Sequence, residues 1–381
     1  MSKCSWSAIL LSLLSVSTTA SAQSSRGPSD VLAQGSHQLS TPVRVCAGGD
    51  VTLGTNLDPF WAKYAADTLG RFYGLQPDPD SLAPALHSFF AGADVVVLNI
   101  EGAIGSGPAP PKCGPRSQSC FAFRQPPNAA TALRHAIDSG AVLVGNVANN
   151  HSRDAGDPGR DTTLSYLTAA DIRVTGADTL ATPIGLPSGD TIAILGFHTD
   201  TAAPDARDLA AVRRHVARAV SQYGTVIVTM HLGAEGPTAQ RTRDATERFL
   251  KLNRGNPVAF ANAAFMGGAT LVLGHGPHVL RAAEWRGNRL VVYSLGNLLT
   301  YGPFKLREPT NRGAVVCATI DSARHVSQAE LRPTMQLWPG VLQPDSSRRA
   351  WRLVDSLSAL DFPRTGAMVD STGALKKRKR P

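Results

Sequence analysis

The sequence predicts an α/β layered domain, on two observations. Helical and strand-like stretches alternate through the middle of the chain, and the strand-like runs are short, apolar and followed by polar residues. Runs apolar on both faces are how buried parallel strands read, and α/β proteins place ligand groups just beyond such strands. The chain has 381 residues, hydrophobic 43% and charged 18%, an ordinary balance for one large domain or two modest ones. No interior linker splits it, and no internal repeat is found.

The N-terminus reads as a processing signal. A short positive start, Met1-Ser2-Lys3, precedes an apolar run over 8–16 that is too short to span a bilayer. Ala20-Ser21-Ala22 then offers a small-residue cleavage site. Residues 1–22 are therefore expected to be removed after Ala22, which makes the protein exported, periplasmic or extracellular. Cys4 precedes the apolar run and is not placed as a lipid-anchor cysteine. Residues 23–41 are polar and aperiodic, the composition of a flexible leader.

A main domain is expected over 42–362. Strand 43–47 ends in Gly48-Gly49-Asp50, where glycines would let the chain turn tightly. A helix over 81–92 puts Leu82, Leu86, Phe89 and Phe90 on one face, with Ser81 as its cap. Strand 94–100 delivers Asn99 and Glu101. A long Pro/Gly loop over 102–127 carries Cys113 and Cys120, which read as a local disulfide in an oxidising compartment. Cys46 and Cys317 sit in separate apolar runs, either paired or as two buried thiols.

A helix over 129–139 leads into strand 142–144 and the turn Asn149-Asn150-His151, with Asp154 behind. Adjacent asparagines and a histidine are costly to bury without partners. Next come a helix at 161–170 and strands at 172–174 and 191–197. A helix at 205–223 carries the stripe Leu209, Val212, Val216, Val220. Strand 225–230 ends in His231 and runs on to Glu235. Helices are expected at 241–252 and 258–266. Strand 269–273 ends in His275 and His278, with Pro277 fixing the chain between them. Strand 289–294 leads to Asn297. Runs 313–320 and 326–335 read as an antiparallel pair, and 346–360 as a helix. Residues 363–381 read as a disordered basic tail. Residues 376–380 supply five of the nine net positive charges, so only +4 remains for the rest. With no aromatic-interleaved basic patch, nucleic acid is not an expected partner.

Five strand ends thus carry Asp50; Asn99 with Glu101; Asn150 with His151; His231; and His275 with His278. A lone histidine is more often a satisfied core or surface residue. Four at strand ends, with two carboxylates and an amide, suit a divalent ion such as zinc, manganese or iron. Glu101 is the natural bridge between two ions. His151 is placed to protonate a leaving oxygen. Asp154 either holds that histidine's other nitrogen or closes a turn.

The stretches AGGDVTLG, VVLNIEG, GNVANNHSRDAG, MHLGAEG, GHGPHVL and VVYSLGNLL, in this order, resemble the CapA family of poly-γ-glutamate capsule synthesis proteins over 43–299. That family is related to calcineurin-like metallophosphoesterases, so the resemblance implies a four-layer α/β/β/α sandwich. It also implies Asp50, Glu101, Asn150, His231, His275 and His278 as metal positions and His151 as the catalytic histidine. Metallophosphoesterases usually begin with Asp-x-His; Thr52 stands at that histidine's place, so the resemblance allows two ions, one or none. Asn99, Glu235 and Asn297 are candidates to face substrate. The function implied is a metal-dependent hydrolase. The alternative is a non-catalytic protein that binds anionic polymer such as poly-γ-glutamate. Either could act beside a membrane synthase complex.

Overall fold

The computed structural model describes residues 38–54, 58–110, 113, 121–199 and 204–378. All belong to one compact unit. Two sheets lie face to face, with helices on both outer surfaces. The first holds eight strands in the order Val341–Pro344, Val326–Leu337, Arg312–Ile320, Val43–Leu53, Val95–Ile100, Val142–Asn146, Arg173–Thr175, with Asn297–Tyr301 beside Val43–Leu53. The second holds six, in the order Ala283–Arg286, Arg289–Val292, Leu271–His275, Val226–His231, Thr191–His198, Thr182–Gly185.

Strand periodicity of two sorts the core into layers. Val45, Ala47, Val95 and Val97 face Ile192, Ile194, Leu271 and Leu273 between the sheets. Their neighbours Cys46, Val96 and Leu98 face outward onto Leu86, Phe90 and Leu133 of the first helical layer. Ala193, Leu195 and Val272 face outward onto Val212, Val216 and Phe260 of the second. This is the expected α/β/β/α sandwich.

Local chemistry sets the element ends. In helix Leu209–Tyr223, Asp208 accepts from the Ala211 amide at 2.9 Å, and Gly224 in a positive-φ conformation ends it. Asn256 caps helix Pro257–Gly267 by accepting from Val258 and Ala259. Among the described residues, no helix is long and apolar enough to cross a membrane.

Several expectations need correction. The first strand does not turn at Gly48-Gly49 but continues to Leu53, with a register shift between Ala47 and Asp50. A Cβ on Gly49 would stand 2.0 Å from the Gly296 carbonyl oxygen. Close approach of another strand, rather than a turn, demands that glycine. There the strand exchanges neighbours: Val43 to Ala47 pair with Arg312–Ile320, and Asp50 onward pairs with Asn297–Tyr301. The helix expected over 81–92 is broken into Pro79–Leu82, a 3₁₀ turn Ala83–Leu86 and His87–Phe90, and its cap is Asp78, not Ser81.

No helix forms over 241–252. A short hairpin, Arg248–Phe249 with Leu252–Asn253, stands there. Tertiary bonds override the local helix signal: the Thr242 amide donates to Asp361 and Glu247 binds Arg281. The tail over 363–381 is not disordered within its described part. Ala367–Val369 pairs with Leu375–Lys377, Ala367 and Leu375 are buried, and Asp370 accepts three bonds across the turn. Lys377 lies 5.5 Å from the Trp285 ring centre, and Arg378 pairs with Asp355. Those basic residues have folded partners, which composition alone conceals.

Of the leader over 23–41, only 38–41 are described. Leu39 is buried in the inter-sheet core and Ser40 bonds Asp190, so these four residues are part of the fold. The signal over 1–22 lies outside the described residues. Cys46 and Cys317, opposite each other on neighbouring strands, form a disulfide. Cys113 is disulfide-bonded, while Cys120 lies outside the described residues.

Candidate metal centre

Register brings the polar strand ends together. In the first sheet Asn297, Asp50, Asn99 and Asn146 stand at one level on four adjacent strands. In the second, His198, His231 and His275 do the same on three. The rows meet: Asn99 Nδ2 lies 3.2 Å from His231 Nδ1.

Asp50 is the hub of the first row. Asn99 donates to its Oδ1 at 2.8 Å, and His278 Nδ1 lies 3.0 Å from its Oδ2. His275 Nδ1 lies 3.7 Å from Oδ1. His278 Nδ1 is also 3.0 Å from Asn297 Oδ1, which leaves Nε2 facing Glu101 at 3.6 Å. Glu101 in turn has His231 Nε2 at 3.8 Å and His151 Nε2 at 3.9 Å. Asp50, Glu101 and His278 each present a ligand atom within 4.8 Å of the others. His278 adopts φ 57°, a left-handed conformation uncommon for a side-chain residue.

The protonation balance follows from burial and charge. Burial works to raise the Asp50 carboxyl, but the hydrogen bond and charge of His278 outweigh it and hold it below its ordinary value. Burial pushes Glu101 well up, and the Asp50 charge adds to it. Burial pulls His231 well down and His275 down to about 4. Burial opposes protonation of His278 too, but Glu101 and Asp50 overcome it and raise it to about 10.

The donor set fits a divalent cation. Both oxygens of Glu101, Nε2 of His231, both nitrogens of His275 and Oδ1 of Asn150 are buried without a hydrogen-bond partner. A buried acceptor left unmet costs about 1–3 kcal/mol; Glu101 and His231, 3.8 Å apart, and His275, 3.7 Å from Asp50, call for a shared partner. Carboxylate oxygens, an amide oxygen and imidazole nitrogens are ligands of zinc, manganese and iron. Thr52 is fully buried two residues beyond Asp50, and its hydroxyl is also unpartnered.

The turn after Val142–Asn146 divides its labour. Asn149 secures it, donating to the Ile100 carbonyl at 2.8 Å and accepting from the His151 amide at 3.1 Å. Asp154 Oδ2 lies 2.6 Å from His151 Nδ1 and accepts from the Phe123 amide at 2.7 Å. Asp154 therefore holds the histidine and does not cap the next helix. Phe123 packs on the His151 ring with centres 4.3 Å apart, and on Phe304 at 4.7 Å; Phe304 meets His278 at 5.6 Å. The long loop over 102–127 thus brings one panel of an aromatic wall.

Glu235 Oε2 stands 3.9 Å from His278 Nε2, and Arg254 Nη2 is 2.8 Å from Glu235 Oε1. Sequence reasoning missed Asn146, His198, Arg254, Glu247, Arg281, Phe123 and Phe304. Asn146 and His198 each end an apolar strand and carried the same signal as the rest. The others have no local signature, because long-range contacts bring them in.

Three solved structures illustrate the likeness to known proteins. A Staphylococcus aureus protein assigned to the 5'-nucleotidases has 14% identity and TM-score 0.45, with 84% of this chain and 59% of that one covered. A 5'-nucleotidase precursor of Thermus thermophilus has 12% identity and TM-score 0.38, covering 85% and 59%. Purple acid phosphatase PPD1 of yellow lupin has 11% identity and TM-score 0.34, covering 78% and 52%. The chain thus spans 59% of the length of each nucleotidase. All three scores lie below 0.5, and nothing about activity follows from them. No curated protein matches the chain. The family model described as bacterial capsule synthesis protein PGA_cap matches residues 44–301, more than half of the sequence, and the chain belongs to that family.

Proposed function

We propose that the chain is an exported, divalent-metal-dependent hydrolase of the metallophosphoesterase type, acting in capsule synthesis or export on an anionic polymer such as poly-γ-glutamate. The observation that carries this reading is the set of buried, unpartnered ligand atoms on Glu101, His231 and His275 around the Asp50–His278 pair. Asp50, Glu101, Asn150, His231, His275 and His278 would hold one or two ions of zinc, manganese or iron. A bound divalent ion supplies a water of lowered pKa and a clamp on a phosphoryl or carbonyl oxygen.

The remaining work falls to this chain's own groups. Asp154 accepts the Nδ1 proton of His151 and fixes the ring. Nε2 then faces Glu101 across 3.9 Å and is the atom that delivers a proton to a leaving oxygen. Phe123 covers one face of that ring and helps to exclude water. Asn99 keeps Asp50 oriented. The signal over 1–22 supports export, and a membrane synthase complex is the partner we propose for it.

The test is hydrolysis of bis(p-nitrophenyl) phosphate and of a γ-glutamyl amide by metal-loaded protein. His151→Ala should lower turnover by about 10²–10⁴-fold while the metal stays bound. Full biological function in metal-free protein, or polymer binding as the sole activity and insensitive to His151→Ala, would instead favour a non-catalytic polymer-binding role.

A further inference from the structure

Buried charge that the ligand set does not use gathers on the loop after His231. The Glu235 side chain is 12% exposed and that of Arg254 is 4% exposed. Arg254 Nη2 lies 2.8 Å from Glu235 Oε1, yet neither atom completes a hydrogen bond. A guanidinium is shaped to give two parallel bonds to one oxyanion. This one spends Nε on the Gly233 carbonyl and meets the carboxylate through Nη2, without the paired fork.

The surroundings are held by hydrogen bonds, whereas the Glu235 carboxylate is held through ion pairs alone. Fully buried Arg281 donates to both oxygens of Glu247, at 2.8 and 2.7 Å, and Glu247 Oε2 accepts from the Ala234 amide at 2.7 Å. The Arg254 amide donates to the Glu247 carbonyl at the foot of hairpin Arg248–Asn253, and Arg254 Nε donates to the Gly233 carbonyl. These bonds pin Ala234 and Arg254. Glu235 is followed by Gly236 at φ +95°, with open space where a side chain would stand. Its second oxygen faces His278 Nε2 at 3.9 Å, so Arg254 and the proposed metal centre share this one carboxylate.

We infer that Arg254 is the oxyanion-recognising group of the site and that Glu235 holds its place. A phosphoryl or carboxylate group of the ligand exchanges with the Glu235 carboxylate on the guanidinium. An anionic ligand entering between Asp50, Glu101 and Glu235 meets three carboxylates, and Arg254 is the guanidinium beside them that opposes the repulsion. The inference rests on the hydrolase reading for the location of the ligand, and its test reads binding rather than turnover.

The metal-loaded full chain is titrated with inorganic phosphate and, separately, with glutarate by calorimetry, with metal content measured on each sample. Arg254→Met is expected to weaken the preferred anion about 10- to 100-fold, the loss of charge-assisted bonds. Glu235→Gln is expected to tighten it by about three- to tenfold, because a neutral amide competes less well for the guanidinium. The opposite signs separate recognition from propping, since a pair that merely supports the loop would weaken binding in both variants. Arg254→Lys keeps the charge, loses the fork and falls between; it serves if the Met variant does not fold. Tighter phosphate identifies a phosphoryl ligand, and tighter glutarate a carboxylate. Failure of both anions to bind the native chain, unchanged binding in the Arg254 variants, or weaker binding in Glu235→Gln would overturn the inference. A native chain that retains no metal would overturn the hydrolase reading instead, and the metal analysis keeps the two outcomes apart.

Discussion

The two strand-end rows that meet at the site are built in opposite ways. The row on the first sheet is braced by its own amides. Asn146 donates to Asn99 at 3.0 Å, Asn99 donates to Asp50 at 2.8 Å, and Asn149 reaches Asn99 at 3.3 Å. The row on the second sheet carries unmet demand: both nitrogens of His275 and Nε2 of His231 are buried without a partner. The chain orients its carboxylate with fixed dipoles and leaves its rings open. Asp50 is thus preorganised by the protein, while the Glu101 oxygens beside it and the rings of the second row are what a cation would complete.

The largest effect is expected at Asp50, the residue both sheets touch. Asp50→Ala strands protonated His278 and should destabilise the fold by about 3–5 kcal/mol, as breaking a buried pair does, with loss of metal retention. Chemical denaturation and elemental analysis read both. His151→Ala should leave metal content unchanged and lower turnover by about 10²–10⁴-fold, the usual contribution of a positioned acid. Asn99→Ala attacks the bracing alone. It should cost about 1–3 kcal/mol in denaturation through the unmet partners it leaves. It should also weaken metal binding roughly 10- to 100-fold, measured by titration of chelated protein.

Acidity offers a subtler way to separate the halves in metal-free protein. Burial draws His275 down to about 4, so the unfolded chain takes up a proton near 6.5 that the folded chain refuses. Stability should fall as pH drops across that interval. His278 behaves in reverse. Burial opposes its charge, but Glu101 and Asp50 raise it to about 10, so its contribution is full below about 6.5 and is lost as pH rises towards 10. Glu101, pushed up by burial and Asp50, also loses stability as pH climbs above its ordinary 4.5. Thermal melts with chelator should show both arms, and His278→Gln should flatten the alkaline one. The smallest effect is expected far from either row: Lys377→Ala removes a partly exposed cation from the Trp285 face and should cost at most about 1 kcal/mol in denaturation.

The layered fold and most of the site were legible because both depend on local pattern. Apolar runs such as 95–98 and 226–230 name buried strands by themselves, and the residue after each run names the edge. The polar rows form because neighbouring strands end at the same level, as Asp50 beside Asn99 and His231 beside His275 show. What was not legible depends on distant partners. The stretch over 241–252 carries helix-compatible residues, yet Asp361 and Arg281 bind it in another shape. The tail reads as solvated charge until Trp285 and Asp355 are seen beside it. Arg254 has no motif, and only the fold puts it against Glu235. Gly49 was legible as a required glycine, but the reason, the Gly296 carbonyl against it, was not.

Elemental analysis of protein purified without chelators tests the central claim most directly. The account predicts at least one equivalent of zinc, manganese or iron per chain, lost in both Asp50→Ala and His275→Ala, since the ion needs a residue from each row. Native protein that carries no transition metal and takes up none on titration would contradict it.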